Sequence, residues 1–266
     1  MPFVTLDGVV VHYEARPAAA GAPTILFSNS LGTDFRIWDP IVARLPDSFG
    51  LVRYDKRGHG LTDLAKADTL DAHVGDAVGL LDHLGLGKVV VCGLSVGGLI
   101  AQGFAAAHPD RLAALILCCT GAKVGAPADW NARIKAVEEG GIVSLAGPIM
   151  ERWFSPAFHR AEPAILAGMT NMLVRQPDDG YAAVCRMLRD TDLREAAGRV
   201  SVPTLAIAGS EDKATPPDLV RGTADLIPGA RFRLIEGAGH IPCVEAPDAL
   251  AGHLLEFLKD NGFCDV

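Results

Sequence analysis

The chain has 266 residues, 49% of them hydrophobic, and a formal net charge of −8 from 24 basic and 32 acidic residues. This is enough apolar sequence for one large core, and the net negative field opposes nucleic acid or an anionic membrane as a partner. An anionic small-molecule substrate would need a local basic group to overcome that field.

No stretch approaches the ~20 uninterrupted apolar residues of a membrane span. The opening residues Met1 to Asp7 lack a basic segment followed by a long apolar run, so no signal peptide is expected. The six cysteines are Cys92, Cys118, Cys119, Cys185, Cys243 and Cys264; none forms a Cys-x-x-Cys pair and no Cys/His cluster has zinc spacing. Cys92, Cys118 and Cys119 lie in apolar runs, where reduced thiols act as small hydrophobes. That usage suits a cytoplasmic protein.

In chain order, Phe3–Leu6 and Val9–Tyr13 read as an antiparallel hairpin around Asp7-Gly8. Two continuous apolar runs follow, Thr24–Ser28 and Gly50–Tyr54, of the kind found in strands buried on both faces of a parallel sheet. Leu70, Val74, Ala77, Val78 and Leu81 have helical spacing within 69–84. Lys88–Cys92 reads as a strand, the residues after Gly98 to about Ala107 as a helix, and Ala113–Cys119 as another strand. This alternation predicts a mostly parallel α/β sheet flanked by helices. It lapses between Gly121 and Arg199, where helix formers are broken by Pro127, Gly140-Gly141, Pro156, Pro163, Pro177 and Gly180. Strands return at Pro203–Gly209 and Arg231–Glu236, and a helix over Ala246–Lys259 closes the chain. The expected organisation is a core of 1–120 and 200–266 interrupted by a helical lid, 121–199.

Gly93-Leu94-Ser95-Val96-Gly97 falls between a predicted strand and a predicted helix, the context of a nucleophile elbow. Glycines there let strand and helix approach while the serine projects from a strained turn. Val96 begins the helix, so its free N–H is a candidate oxyanion donor. A second donor is expected in the loop Ser28-Asn29-Ser30-Leu31-Gly32-Thr33-Asp34, at the amide of Leu31. The base and acid should follow in the order acid, then histidine. Of the later histidines, His159 falls in the insertion and His253 in the final helix, which leaves His240 in the loop Gly237-Ala238-Gly239-His240. Asp212, after the strand ending at Gly209, is the favoured acid, with Glu211 as its competitor. No phosphate cradle and no metal-ligand cluster is visible, so no cofactor is expected. Asp55-Lys56-Arg57-Gly58-His59-Gly60 reads as a structural turn after a strand.

Four segments together resemble the 3-oxoadipate enol-lactonases of the α/β-hydrolase superfamily: Asn29–Asp34, Tyr54–Gly60, Gly93–Gly98 and Gly237–His240. The elbow and the histidine loop are shared widely within the superfamily, whereas Asn-Ser-Leu-Gly-Thr-Asp replaces the His-Gly that most relatives carry. The resemblance implies the α/β-hydrolase fold, a Ser95–His240–Asp212 triad, and lactone hydrolysis in the β-ketoadipate pathway of aromatic degradation. It also strengthens Asp212 over Glu211.

In the lid, Trp130, Ile134 and Val137 share helical spacing, and Arg133 lies three residues from Trp130. Arg133 beside an aromatic is a candidate clamp for a substrate carboxylate, or a solvated arginine on an amphipathic helix. Trp153, next to Phe154, reads more readily as lid core and is also a candidate for the substrate wall. The competing functions are a general carboxylesterase or thioesterase, and a non-catalytic ligand receptor on the same fold. A small-molecule lactone is the expected partner.

Overall fold

Asp7 and Gly8 both have positive φ, 46° and 80°. That is the backbone a tight two-residue hairpin requires, and it joins β1 (Phe3–Leu6) to β2 (Val9–Arg16) with Leu6 opposite Val9. The computed structural model describes residues 2–64 and 69–264, so the expected outer domain limits at 1 and 266 lie outside the described residues. Strand β2 continues past Tyr13 because it pairs antiparallel with β4 (Gly50–Tyr54), from Tyr13↔Tyr54 to Arg16↔Leu51. The remaining strands are β3 (Thr24–Ser28), β5 (Val89–Leu94), β6 (Leu112–Cys118), β7 (Thr204–Gly209) and β8 (Arg231–Ile235). They make one eight-stranded sheet in the order β1-β2-β4-β3-β5-β6-β7-β8, parallel from β4 to β8.

The continuous apolar runs have a direct cause: β4, β5 and β7 are buried at every position. Side chains alternate across the sheet. Ile25, Phe27 and Cys92 pack on one face with Ile41 of α1 (Asp39–Val42) and with Leu254 of the C-terminal helix, Pro247–Asp260. Leu26 and Val91 pack on the other face, with Leu80 of α2 (Leu70–His83) and Phe104 of α3 (Val96–Ala107). A 3-10 turn, Phe35–Trp38, and the short α1 occupy a stretch for which the sequence predicted no helix. Asp34 caps that turn by accepting from the Arg36 N–H at 3.0 Å.

Between β6 and β7 the described residues form only helices and turns. These are α4 (Pro127–Gly140), α5 (Ala146–Trp153), α6 (Pro156–Ala161), α7 (Pro163–Val174), α8 (Asp178–Asp190) and α9 (Arg194–Ala197), with a 3-10 turn at Ile142–Leu145. Helices α10 (Pro217–Leu226), α11 (Pro242–Glu245) and α12 (Pro247–Asp260) follow. The apolar cluster on the Phe27 face runs without a break into Ile149, Trp153, Leu173 and Tyr181 of the inserted helices. Sheet and insertion therefore share one core. Cys92, Cys118 and Cys119 are buried, as their apolar surroundings predicted. No described helix is long and apolar enough to cross a membrane.

Candidate active site

Ser95 joins β5 to α3 with φ 57° and ψ −118°. For a residue other than glycine such backbone costs roughly 1–3 kcal/mol and persists only where the surroundings over-determine it. Here they do. The Ser95 N–H donates to the Cys118 carbonyl at 2.9 Å, and the Ser95 carbonyl accepts from Thr120 Oγ1 at 2.7 Å and from the Gly98 N–H at 2.9 Å. A Cβ on Gly93 would run into the Gly97 carbonyl, and one on Gly97 into the Ser28 carbonyl. The elbow thus needs glycine at both positions. Ser95 is half-buried, and it lines a cavity of about 280 Å³.

His240 lines the same cavity. Its Nδ1 lies 2.9 Å from Asp212 Oδ2 and 3.2 Å from Thr215 Oγ1. With Nδ1 donating to the carboxylate, Nε2 is left with its lone pair. Asp212 Oδ1 accepts from the N–H groups of Ala214 at 2.7 Å and Thr215 at 2.9 Å, and Oδ2 from Thr215 Oγ1 at 2.7 Å. Burial works to raise the Asp212 carboxyl, but the charge of His240 and the hydrogen bonds from His240 and Thr215 outweigh it and hold it below the usual range. Glu211 is exposed. Of the two candidate acids, Asp212 is the one that meets the imidazole.

The loop carrying His240 is shaped by a residue the sequence did not single out. Glu245, in α11, accepts from the Gly239 N–H at 2.8 Å and from the Ser155 N–H at 3.1 Å. Cys119 completes a buried group in which Cys119, Asp212 and His240 each bring a ligand-type atom within 4.8 Å of the others. The carboxylate and Nδ1 are engaged with each other and with Thr215, and burial pushes the Cys119 thiol well above its ordinary value. A protonated thiol is a poor metal ligand. The group is better described as a histidine–carboxylate pair backed by an inert thiol.

The amide of Leu31 has no acceptor among the described residues, and Leu31 lines the cavity with Ser95. Val96 opens α3, so its N–H has no partner within the helix. Both expected oxyanion donors are therefore available. The Asn29–Asp34 loop is braced from below by the segment that the sequence predicted to be a structural turn. Asp55 accepts from His12 Nδ1 at 2.7 Å and from the Phe35 N–H at 2.8 Å, and His59 Nε2 accepts from the Gly32 N–H at 3.0 Å. Arg57 holds Asp76 of α2 through two bonds of 2.5 and 2.7 Å.

The insertion supplies the opposite wall. Trp130, Arg133, Arg152, Trp153 and Tyr181 all line the cavity. The Arg133 guanidinium lies 5.4 Å from the Trp130 ring centroid, and Trp130 Nε1 donates to the Val124 carbonyl at 2.7 Å. Trp153 is both core and wall, since it is only 6% exposed yet borders the cavity. Arg152 was not anticipated. Desolvation and then the charge of Arg133 lower its pKa, so two like charges converge on one space. Burial raises the pKa of the Tyr181 hydroxyl, and the charge of the neighbouring Arg133 works against that rise.

The family model described as the alpha/beta hydrolase family matches residues 17–253. The chain belongs to that family, and it is a hydrolase. It is 34% identical to 3-oxoadipate enol-lactonase 2 of Acinetobacter baylyi over 95% of this chain and 94% of that one. The crystal structure of an enol-lactonase from Burkholderia xenovorans LB400 superposes with a TM-score of 0.93 at 37% identity, covering 97% of this chain and 100% of the other. A malate-bound thermophilic esterase from Thermogutta terrifontis, 29% identical, superposes at 0.89 and covers 98% of each chain. The α/β-hydrolase fold expected from the sequence is thus borne out.

Proposed function

We propose that this hydrolase opens the ring of 3-oxoadipate enol-lactone to give 3-oxoadipate, with Ser95, His240 and Asp212 as its catalytic triad. The observation that carries this reading is the cavity. Ser95 and His240 share it with two arginines, Arg133 and Arg152, in a chain of net charge −8. A small ester ring bearing a carboxylate fits that chemistry, and the likeness to two enol-lactonases points the same way.

Ser95 Oγ attacks the lactone carbonyl while His240 Nε2 takes its proton. The tetrahedral oxyanion rests on the Leu31 and Val96 N–H groups. Collapse breaks the ring C–O bond, and the departing enol oxygen takes the proton back from His240. An enol is far less basic than an alkoxide, so ring opening is easy, and tautomerisation to the ketone draws the step forward. Water, activated by His240, then cleaves the acyl-enzyme and releases the second carboxylate. Asp212 holds the imidazole tautomer throughout. The chemistry needs neither metal nor organic cofactor.

In this reading residues 121–199 act as a lid, with Arg133 clamping the carboxylate against Trp130 and Trp153 closing the wall. The reaction would belong to the cytoplasmic β-ketoadipate route of aromatic degradation. Ultraviolet monitoring of enol-lactone loss with the purified protein tests the proposal. Loss no faster than the spontaneous rate would overturn it. The likeness to a thermophilic esterase favours one second reading, a general esterase; the ratio of rates on the two substrate types separates them.

A further inference from the structure

Lys56 is among the largest fully buried side chains, with a relative exposure of 0%. Its ammonium donates to the Ser30 carbonyl at 2.5 Å and to the Thr33 carbonyl at 3.3 Å. Among the described residues no carboxylate lies within ion-pairing distance of it. Burying a cation on neutral carbonyls alone is expensive. The position of Lys56 calls for a reason other than stability.

The carbonyl it grips supplies one. Ser30 C=O and Leu31 N–H belong to a single peptide unit. No peptide among the described residues is cis, so this carbonyl and this N–H point in opposite directions. With the carbonyl turned back onto Lys56, the N–H is turned away from it, and Leu31 borders the cavity that holds Ser95. The same carbonyl also accepts from Thr33 Oγ1 at 2.8 Å. A carbonyl that accepts from a cation polarises its own peptide and makes the N–H a stronger donor. We infer that Lys56 is a positioning residue for the oxyanion hole, anchoring and polarising the Ser30–Leu31 peptide so that the Leu31 N–H is fixed toward the developing oxyanion. This rests on the proposed roles of Ser95 and Leu31.

The surroundings of Lys56 make the device sensitive to pH. Burial pulls its pKa from the ordinary 10.5 down to about 7, against the opposing charges of Asp55 and Asp34. The other titratable groups facing it are His59, on its own segment, and His73 of α2. Both are pushed down, first by burial and then by the charge of Lys56, so both stay neutral. Lys56 is therefore the member of the cluster that changes charge near neutrality. Below about 7 the peptide is held by an ammonium; above it, by a neutral amine that still donates but polarises less.

The test is kcat and KM on a neutral short-chain aryl ester, from about pH 6 to about pH 9, for the wild type, Lys56→Met and Lys56→Gln. Circular dichroism and thermal unfolding report whether each variant is folded. Wild-type kcat should show a descending alkaline limb centred near the Lys56 value of about 7. Lys56→Met should lower kcat about tenfold at acidic pH, leave KM nearly unchanged, and lack the limb. Lys56→Gln keeps a neutral donor, so it should lose the limb with a smaller fall in kcat. A purely structural lysine would not set the midpoint of that limb. If a variant does not fold, the wild-type profile decides, and a kcat that stays flat above neutrality overturns the inference. Limbs that persist in folded variants overturn it too. Ser95→Ala separates the two levels: inert Ser95→Ala with wild-type behaviour in both Lys56 variants removes the role of Lys56 alone. Active Ser95→Ala removes the triad and this inference together.

Discussion

The backbone N–H of His240 donates to the carbonyl of Trp153 at 2.7 Å. One partner ends α5 in the insertion and the other sits in the loop after β8, so a single hydrogen bond ties the wall of the cavity to the imidazole. Glu245 reinforces the junction by accepting from both Gly239 and Ser155. A Cβ on Gly239 would press on the Trp153 carbonyl and the Phe154 backbone, which explains the glycine before the histidine. In a serine hydrolase the height and tilt of the base decide whether it reaches the nucleophile. The insertion therefore contributes to the position of the His240 imidazole as well as to the walls.

Ser95→Ala should abolish turnover in a folded protein, by roughly 10⁴-fold or more. Alanine removes Oγ but leaves the strained elbow and the bonds from Ser95 to Cys118 and Thr120 in place, since those use only the main chain. Activity measured beside circular dichroism checks this. A folded Ser95→Ala protein with most of its activity would sink the triad.

Asp212→Asn should cost about 10⁴-fold in kcat, because an amide can donate to Nδ1 and stabilise the wrong tautomer. Glu211→Gln should change little, since Glu211 is exposed. If Glu211→Gln proved the more damaging change, the acid would be misassigned. The pH dependence has a definite sign. The folded Asp212 carboxyl is held below its unfolded value of ~3.9, so its ionisation stabilises the fold above that pH, and the contribution is lost as pH falls through the folded value. The Tm difference between wild type and Asp212→Asn should therefore shrink in acid. A difference that stays constant from neutral pH into acid would contradict the assigned environment of Asp212.

The strands were readable because β4, β5 and β7 are buried on both faces, which forces unbroken apolar runs. Ser95 was readable because its turn tolerates only glycine nearby, and His240 because it follows the last strand. Thr215 left a faint signal: an Asp whose side chain accepts from the N–H groups two and three residues on is a common turn, and Asp212-Lys213-Ala214-Thr215 suits it. Arg152 and Tyr181 left none. Their side chains meet Arg133 only because α4, α5 and α8 fold over one space, and no local spacing encodes that convergence. The 3-10 turn at Phe35–Trp38 was missed because it is too short for a periodic pattern to develop.

Arg133→Ala should raise KM for the anionic enol lactone about tenfold or more and hardly affect a neutral aryl ester. Arg152→Ala should act in the same direction with a smaller effect, because Arg152 is the more exposed of the two. The charge is the cause, so Arg133→Lys should recover part of the loss, limited by its single-point geometry. Equal losses on charged and neutral substrates would instead mark Arg133 as a support for the insertion, through its packing on Trp130.

The enol lactone should be preferred over a short-chain aryl ester by at least about a hundredfold in kcat/KM, roughly 2.7 kcal/mol of differential transition-state binding. Both substrates have good leaving groups, so intrinsic reactivity does not decide between them; the cavity must. At about 280 Å³ it suits a small ring, and Arg133 and Arg152 can pair only with a substrate that carries negative charge. The lactone supplies that charge before and after ring opening, whereas a neutral ester offers the two guanidinium groups no ionic partner. A carboxylate clamped during acylation also holds the acyl-enzyme in register for attack by water, so the preference should be visible in kcat as well as in KM. The arginines offer an internal control, because Arg133→Ala should shrink the ratio by about tenfold or more by weakening only the lactone. A wild-type ratio near one, or one that favours the ester, would make this protein a general esterase.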